Sequence, residues 1–343
     1  MNKYYYISFL FILIGTSCTY QKNNNEVIYI DLTEVTNDTV YYTSFVDSLR
    51  YIPLETKEEC LIGEVTDVIF TSQYIFILDN RQQTVWAFSP TGQFSHAICR
   101  RGNGPEEYAN LVQFEYDSSN DELLLLDGWS KSILRYTPQG DFIDKTVFDI
   151  YPSDFKKTCD GYLLSLIGAP DSIAGIYHYD TQSSECSKLV GRLHNLSCSF
   201  NWEMISYDDT IAFMAPPFDN TVYHYSNGTA YEYLPFQMLP STEQKYEYTA
   251  SKQNLPDFIR TNYIEGSHWI YATYWCAQYG LRVFLYNKEK HNYVLGKVLI
   301  NDIDNKGFSH ISSVCDHNRF VFGCVPDNGD NPELQILYLK KYI

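Results

Sequence analysis

The sequence predicts an all-β fold, a six-bladed β-propeller with four strands in each blade. One observation is a short sequence motif, called the phrase below, that occurs six times along the chain. A second is the aromatic content of 16%, which favours strands because flat rings pack well on a pleated surface. A third is that the repeats lack the helical periodicity of TPR or HEAT repeats.

The repeated phrase starts with a β-branched residue, continues with an aromatic residue or Leu, and has an aromatic residue or Leu at its fourth position. Its copies begin at Val85, Ile133, Ile176, Val222, Val283 and Ile336. Consecutive copies start 43 to 61 residues apart. A period in the forties, with turn residues between short alternating segments, is typical of propeller blades.

Residues 78–94 and 126–142 carry the phrase in its longest form and define the first two blades. Asp-Asn or Asp-Gly follows the second strand and Pro-x-Gly follows the third, so both blades have matching turns. For the first blade we expect an inner, a second, a third and an outer strand within 62–70, 73–79, 84–89 and 92–98.

The sixth copy of the phrase ends near the C-terminus, so its blade has no outer strand after it. We expect a strand near Ser48 to Glu55 to pair with Ile336 to Leu339 and close the ring, because closure removes two exposed sheet edges. Residues 27–33 are an alternative closing strand. The longest interval contains helix formers without strand alternation, which predicts a small helical insertion at about 241–261, before or within blade five.

The first residues form a targeting segment. Residues 4–14 are apolar but fall short of the roughly 20 residues that a membrane-spanning helix needs. The run ends in Gly-Thr-Ser-Cys, which resembles a bacterial lipobox in which Cys18 is lipidated, and ordinary signal-peptidase cleavage near Ser17 is the alternative. We therefore expect a signal peptide, a flexible tether and the propeller at 1–17, 18–26 and 27–343.

Charge and cysteine content limit the partners and the compartment. The formal net charge of −17 argues against nucleic-acid binding, because an acidic surface repels phosphates. Eight cysteines besides Cys18 form no CxxC pair, and we expect most of them to be buried strand thiols. We expect a monomer in the cell envelope that touches the membrane through its lipid anchor only and faces the periplasm rather than the cell surface.

The chain resembles the six-bladed, NHL-like propeller lipoproteins of Bacteroidota. The features that carry this resemblance are the lipobox, the Tyr-Ile-Pro-Leu-Glu segment at 51–55, the six repeats and the linker at 102–108. The family's linker commonly reads GxGPGEY or GxGPGEF. Glu106 replaces its second Gly here, and the residues that fit are Gly102, Gly104, Pro105, Glu107 and Tyr108. The resemblance implies the fold and an envelope location, but no activity.

A candidate binding face follows from propeller connectivity. Linkers between blades and turns between second and third strands gather at one end of the channel. Arginines and aromatic residues there can grip carboxylates or stack with sugars. The predicted set is Arg81, Arg100, Arg101, Trp129, Phe218, Trp275 and Tyr279. The alternative is structural: the linker glycines allow a sharp crossing, and Tyr108 or Trp129 wedges between blades.

Catalytic motifs are lacking, since the sequence contains neither HExxH nor GxSxG. His178 and His224 occupy the same place in two repeats, which favours packing between neighbouring blades. We therefore expect a module that binds a glycan or an envelope protein, with no catalytic residues and no required cofactor. The alternative is a hydrolase or lyase of gluconolactonase type, with calcium or another divalent metal in the channel.

Overall fold

The computed structural model describes residues 28–166, 173–191, 204–207, 210–214, 222–226, 228–233, 236–239, 258–316, 319–324 and 329–341. In these residues the chain forms six four-stranded antiparallel sheets and two small two-stranded sheets. The predicted six-bladed propeller with four-stranded blades is confirmed. No helix in the described part of the chain is long and apolar enough to cross a membrane.

Three strands precede the first complete blade: β1 (Ile28–Asp31), β2 (Thr39–Tyr41) and β3 (Val46–Pro53). Two single-turn 3₁₀ helices, Tyr42–Ser44 and Glu58–Cys60, lie beside them.

Blades 1 to 3 are four-stranded meanders in chain order. Blade 1 contains β4 (Asp67–Phe70), β5 (Ile75–Asp79), β6 (Thr84–Phe88) and β7 (Phe94–Ile98). Blade 2 contains β8 (Leu111–Asp117), β9 (Glu122–Asp127), β10 (Ser132–Tyr136) and β11 (Phe142–Val147). Blade 3 contains β12 (Asp154–Lys157), β13 (Gly161–Leu166), β14 (Gly175–Asp180) and β15 (Cys186–Gly191).

Blades 4 and 5 are each followed by one extra strand. Blade 4 contains β16 (Ile205–Tyr207), β17 (Thr210–Met214), β18 (Val222–Ser226) and β19 (Thr229–Tyr233), followed by β20 (Phe236–Leu239). Blade 5 contains β21 (Ile259–Glu265), β22 (Trp269–Cys276), β23 (Gly280–Asn287) and β24 (Asn292–Gly296), followed by β25 (Val298–Ile300). Blade 6 contains β26 (Ser309–Asp316), β27 (Arg319–Cys324) and β28 (Glu333–Leu339). All six copies of the phrase lie on third strands.

The N-terminal strand β3 closes the ring as predicted. It is the outer strand of blade 6 and pairs antiparallel with β28, where Arg50 lies opposite Ile336. The alternative closing strand at 27–33 has another role, because β1 pairs in parallel with β20. Since β2 also pairs in parallel with β25, the N-terminal strands form a strap across blades 4, 5 and 6. The strap contributes buried core residues, including Ile30 and Phe45.

The predicted helical insertion needs one correction. Most of the 241–261 segment lies outside the described residues. Its last three residues, 259–261, begin β21, because pairing with β22 satisfies their backbone groups there.

The expectation of buried thiols holds for only two of the five cysteines whose side chains the structure describes. Of the five described thiols, Cys60 and Cys276 are buried, whereas Cys99, Cys159 and Cys186 are exposed and free. The exposed three lie after an outer strand, in a turn and at the start of an outer strand, where no neighbouring blade covers them.

The aspartate that blades 1 and 2 share at the end of the second strand binds the linker that enters each of these two blades. Asp127 is fully buried and accepts hydrogen bonds from the backbone N–H groups of Ala109 and Asn110, at 2.7 and 3.1 Å. Asp79 holds Gly63 N in the same way at 2.7 Å. The repeated glycine is also structural, since Gly92 has a φ of +86° and a Cβ there would lie 2.0 Å from a backbone oxygen.

Candidate binding face

The linkers between blades and the turns between second and third strands meet at one end of the propeller, here called the linker face. The N–H of Gly128, in the turn of blade 2, donates to the carbonyl of Asn110 in the preceding linker at 3.0 Å. Leu111 N donates to Gln83 Oε1, in the corresponding turn of blade 1, at 2.7 Å. The predicted grouping of these segments is therefore present in blades 1 and 2.

The 102–108 linker is built as a structural crossing. Glu107 folds back so that its carboxylate accepts a hydrogen bond from Gly104 N at 2.8 Å, and a Cβ on Gly102 would lie 1.9 Å from that carboxylate. Tyr108 is fully buried between blades 1 and 2, and its hydroxyl donates to Gln83 O at 2.7 Å. Burial raises the pKa of Tyr108 above its usual range. Pro105 is exposed in the same crossing.

The three predicted arginines lie in the turn after β5 and in the linker from blade 1 to blade 2, and their surroundings differ. Arg100 pairs with the Glu106 carboxylate at 3.4 Å, donates to the carbonyl of Gly140 at 3.1 Å and lies 6.0 Å from the ring centroid of Tyr136. Its guanidinium therefore holds the linker against the third strand of blade 2 and the turn after it. Arg81 and Arg101 are exposed, and neither guanidinium has a hydrogen bond or ion pair with a residue in the described part of the chain.

Trp129 belongs to an exposed patch around the turn after β9, of which the sequence predicted only Trp129 itself. Its ring is 68% exposed in the turn after β9, so it does not wedge between blades. Tyr151, in the linker to blade 3, is 63% exposed, and Lys131 Nζ lies 4.0 Å from its ring centroid. Val147, at the end of β11, is 61% exposed and lies opposite Ser132, the residue after Lys131. Trp129, Lys131, Val147 and Tyr151 are called the blade-2 patch below.

Trp275 and Tyr279 lie on the same face but in blade 5, which is opposite blade 2 in a six-membered ring. Tyr279 stacks on Phe258 at a centroid distance of 5.7 Å, and the guanidinium of Arg282 lies 5.8 Å from both rings. Trp275 is partly exposed beside them. Phe218 lies outside the described residues. The structure therefore divides the predicted set between two separate parts of the ring.

Two inner strands, β8 and β12, each carry a carboxyl group whose pKa is raised. Asp154, on β12, accepts hydrogen bonds from Phe155 N and Met204 N at 2.7 and 3.1 Å, yet burial raises its pKa to about 7. Burial also raises the pKa of Glu115, on β8. Within the described residues, no group of three or more His, Cys, Asp or Glu side chains could hold a metal ion. A channel metal therefore stays a prediction.

The two repeated histidines pack between blades, as expected. His178 Nε2 of blade 3 lies 2.9 Å from the Asp160 carboxylate, and its ring stacks on Tyr225 of blade 4 at a centroid distance of 6.0 Å. His224 of blade 4 contacts the buried carboxylate of Glu265, at the end of β21 in blade 5, at 3.1 Å. Both side chains are thus engaged in holding neighbouring blades together.

The fold and these surfaces define an all-β propeller whose linker face presents an exposed aromatic patch. The chain belongs to the family of the domain of unknown function DUF4934, whose model matches residues 16–332. No curated protein matches the sequence significantly.

Two solved structures from Bacteroides share the fold. One is a candidate exported protein from Bacteroides fragilis, 16% identical, with a TM-score of 0.69 over 89% of this chain and 100% of that chain. The other is a DUF4221 family member from Bacteroides vulgatus, 9% identical, with a TM-score of 0.56 over 86% of this chain and 97% of that chain.

Proposed function

We propose that the protein is an exported, lipid-anchored propeller of the bacterial envelope, and that it binds a glycan through the blade-2 patch. The single observation that carries this proposal is the exposure of two large aromatic rings on the linker face: Trp129, in the turn after β9, and Tyr151, whose ring contacts Lys131 of the same turn. Large exposed aromatic rings gain little from water, and an exposed apolar patch commonly marks an interaction site. Flat rings beside the Lys131 ammonium suit a sugar ring and its polar substituents.

The envelope location rests on the N-terminal sequence and on the fold shared with a candidate exported protein. Cys18 precedes β1 by ten residues, which span at most about 36 Å when fully extended. Because β1 pairs with β20 beside blade 4, a lipid on Cys18 would attach at the rim of the ring. Such an anchor leaves the blade-2 patch accessible. Replacing Cys18 with Ala should release the protein from membranes and abolish labelling with a palmitate analogue. A wild-type protein that never takes up the label would contradict the anchor.

A glycan screen with the soluble domain, starting at residue 26, tests the binding function. Trp129→Ala and Tyr151→Ala should each weaken glycan binding by about 1–3 kcal/mol, as truncations of interface hot spots do. Their melting temperatures should stay close to that of the wild type, because neither ring belongs to the core. Tyr29→Ala is the matched control, since Tyr29 is 60% exposed on the strap, away from the patch.

Two results would contradict the proposal in different ways. Glycan binding that survives both patch substitutions would exclude the patch as the site. Capture of an envelope protein that depends on Trp129, without any glycan binding, would keep the patch and replace the ligand. The alternative function, a hydrolase or lyase with a channel metal, predicts stoichiometric calcium or another divalent metal in elemental analysis of the purified protein.

A further inference from the structure

The linker end of blade 5 carries a second cluster of exposed apolar side chains, separate from the blade-2 patch. Trp275 of β22 lies opposite Leu281 of β23, so both side chains project from the same face of the blade. The segment 275–281, which contains both residues and the turn between them, has no charged residue. An apolar ring and an apolar side chain are thus presented together at this end of the blade.

The two-stranded ribbon of β2 and β25 adds further apolar side chains at the rim of the ring. Val40 and Leu299, which lie opposite each other in the ribbon, pack on the core between blades 5 and 6. Successive side chains of a strand point to opposite faces. Tyr41, Val298 and Ile300 therefore project away from that core, and the ribbon is apolar on both of its faces.

The ribbon adjoins Leu281 because of the way it packs on blade 5. A Cβ on Gly296, at the end of β24, would lie 2.6 Å from the Val40 side chain, and Gly296 lies opposite Val283 of β23. Leu281 precedes Val283 by two residues and projects from the same face of that strand, and β25 also contacts β23. The side chains that form this continuous surface, called the blade-5 surface below, are all 39–46% exposed: Tyr41, Trp275, Leu281, Val298 and Ile300.

The blade-5 surface is uncharged in a strongly acidic protein. The chain has a formal net charge of −17, yet neither β2 nor β25 contains a charged residue. Asp38 and Lys297, which immediately precede the two strands, neutralise each other in an ion pair at 2.6 Å. The outer strands of blades 2, 3, 4 and 6 all contain charged residues. Because anionic lipid headgroups repel a negatively charged protein surface, an uncharged apolar part of the ring is the part suited to approach a bilayer.

The path of the N-terminal segment brings the tether to the same side of the ring. Leu32, the residue after β1, packs in the core between blades 4 and 5. Its carbonyl accepts a hydrogen bond from Arg282 Nε at 2.8 Å, and Arg282 directly follows Leu281 in the chain. The ten residues between Cys18 and β1 span at most about 36 Å. A lipid on Cys18 would therefore enter the bilayer near blade 5, whereas blade 2 lies on the opposite side of the ring.

We propose that the blade-5 surface rests on the lipid bilayer that holds the Cys18 lipid, an inference that itself rests on the proposed anchor. The rings of Trp275 and Tyr41 suit the membrane–water interface, where an apolar ring is covered and its polar group stays in water. The aliphatic side chains of the surface lose contact with water at the same time. The protein then touches the membrane through its fold as well as through its lipid. With blade 5 towards the membrane, the blade-2 patch faces away from it and is free to bind a glycan.

The test uses the mature chain with Cys18→Ala, tethered to phosphatidylcholine vesicles through an N-terminal polyhistidine tag and a nickel-chelating lipid. Brominated phosphatidylcholine quenches tryptophan fluorescence at short range, so it reports which indole ring reaches the lipid. We expect quenching that Trp275→Phe removes and that Trp129→Phe, the matched control in blade 2, leaves unchanged. The quenching should persist at high salt, because salt screens interactions between exposed charges and not an apolar contact.

The tag replaces the native lipid, so this result is independent of whether Cys18 is lipidated. Quenching of Trp275 in a protein whose Cys18 never takes up a palmitate label would refute the anchor and support the bilayer contact. A labelled protein whose tethered form shows no quenching would keep the anchor and overturn the bilayer contact.

Substitutions on the aliphatic part of the surface complete the test. Leu281→Ser, Val298→Ser and Ile300→Ser, combined in one protein, should abolish the quenching of Trp275 and leave the melting temperature close to that of the parent, because these side chains are exposed. Ile143→Ser is the control, since Ile143 is similarly exposed on β11 of blade 2. Quenching that survives the triple substitution, quenching of the blade-2 tryptophan instead, or a dimer in solution that the triple substitution dissociates would overturn the proposal.

Discussion

Replacement of Glu265 with Gln should destabilise the boundary between blades 4 and 5. The Glu265 carboxylate is fully buried. One of its oxygens accepts a hydrogen bond from the Tyr263 hydroxyl at 2.6 Å and lies 3.1 Å from His224 Nε2. The other accepts from Lys288 Nζ at 2.8 Å. Burial alone would raise the pKa of this carboxyl, but the His224 hydrogen bond and the Lys288 charge outweigh burial and lower the pKa to about 2.

The expected cost of Glu265→Gln is about 3–5 kcal/mol, because removing one partner of a buried ion pair leaves the other charge uncompensated. Gln has nearly the same shape, so the loss of charge is the principal change. The matched control is Asp144→Asn, which breaks the more exposed ion pair with Arg135. That change should cost at most about 1 kcal/mol, as expected for exposed pairs. Urea unfolding at pH 7 measures both variants.

The pH dependence gives a second measurement. A carboxyl whose pKa is lower in the folded state stabilises the fold above its unfolded pKa of 4.5, and this contribution is lost as the pH falls towards 2. The stability gap between wild type and Glu265→Gln should therefore be constant from pH 7 to pH 5 and shrink in more acidic buffer. A gap below about 1 kcal/mol at pH 7, or a gap that does not change with acid, would refute this reasoning.

Three further predictions concern the channel, the ring closure and the linker. Asp154 has a pKa of about 7 in the folded protein, against 3.8 for the free group. Ionisation of this carboxyl should therefore lower the unfolding free energy by up to about 4 kcal/mol as the pH rises from 4 to 7. Asp154→Asn should remove this pH dependence from the stability profile. Removing residues up to Asn25 should leave a folded monomer. Removing residues through Glu55 should cause aggregation in light-scattering measurements, because β3 and the rest of the strap are lost. Equal melting temperatures for the two truncated proteins would contradict this prediction. Tyr108→Phe should lower the unfolding free energy by about 1–3 kcal/mol, since the Gln83 carbonyl loses its hydrogen-bond donor. An unchanged denaturation midpoint would contradict the structural role of Tyr108 between blades 1 and 2.

The sequence was informative about the fold because each blade repeats one local pattern. Asp79 and Asp127 sit at the same place in the phrase and make the same kind of contact with the entering linker. Ring closure followed from counting strands. The parallel pairings of β1 and β2 could not be predicted, because their partners lie more than 200 residues away and segments of three or four residues carry no periodicity.

The candidate site was predicted less completely for a geometric reason. Trp129 is recognisable from sequence as a large ring in a turn. Tyr151 is not, because its approach to Lys131 depends on the path of the linker after β11. The sequence prediction places Trp275 and Tyr279 of blade 5 in one set with Trp129 of blade 2. Strand connectivity predicts which end of the propeller a loop lies at, but it does not predict which loops are neighbours around the ring.

The position of Arg50 shows where strand register adds information that sequence spacing lacks. In the sequence, Arg50 belongs to a short N-terminal segment, far from any copy of the phrase. Only its pairing with Ile336 places it where blade 1 has Ile98. The positions that repeat among the blades therefore hold the ring together. Arg50 itself is exposed at that place, so its charge stays in contact with water.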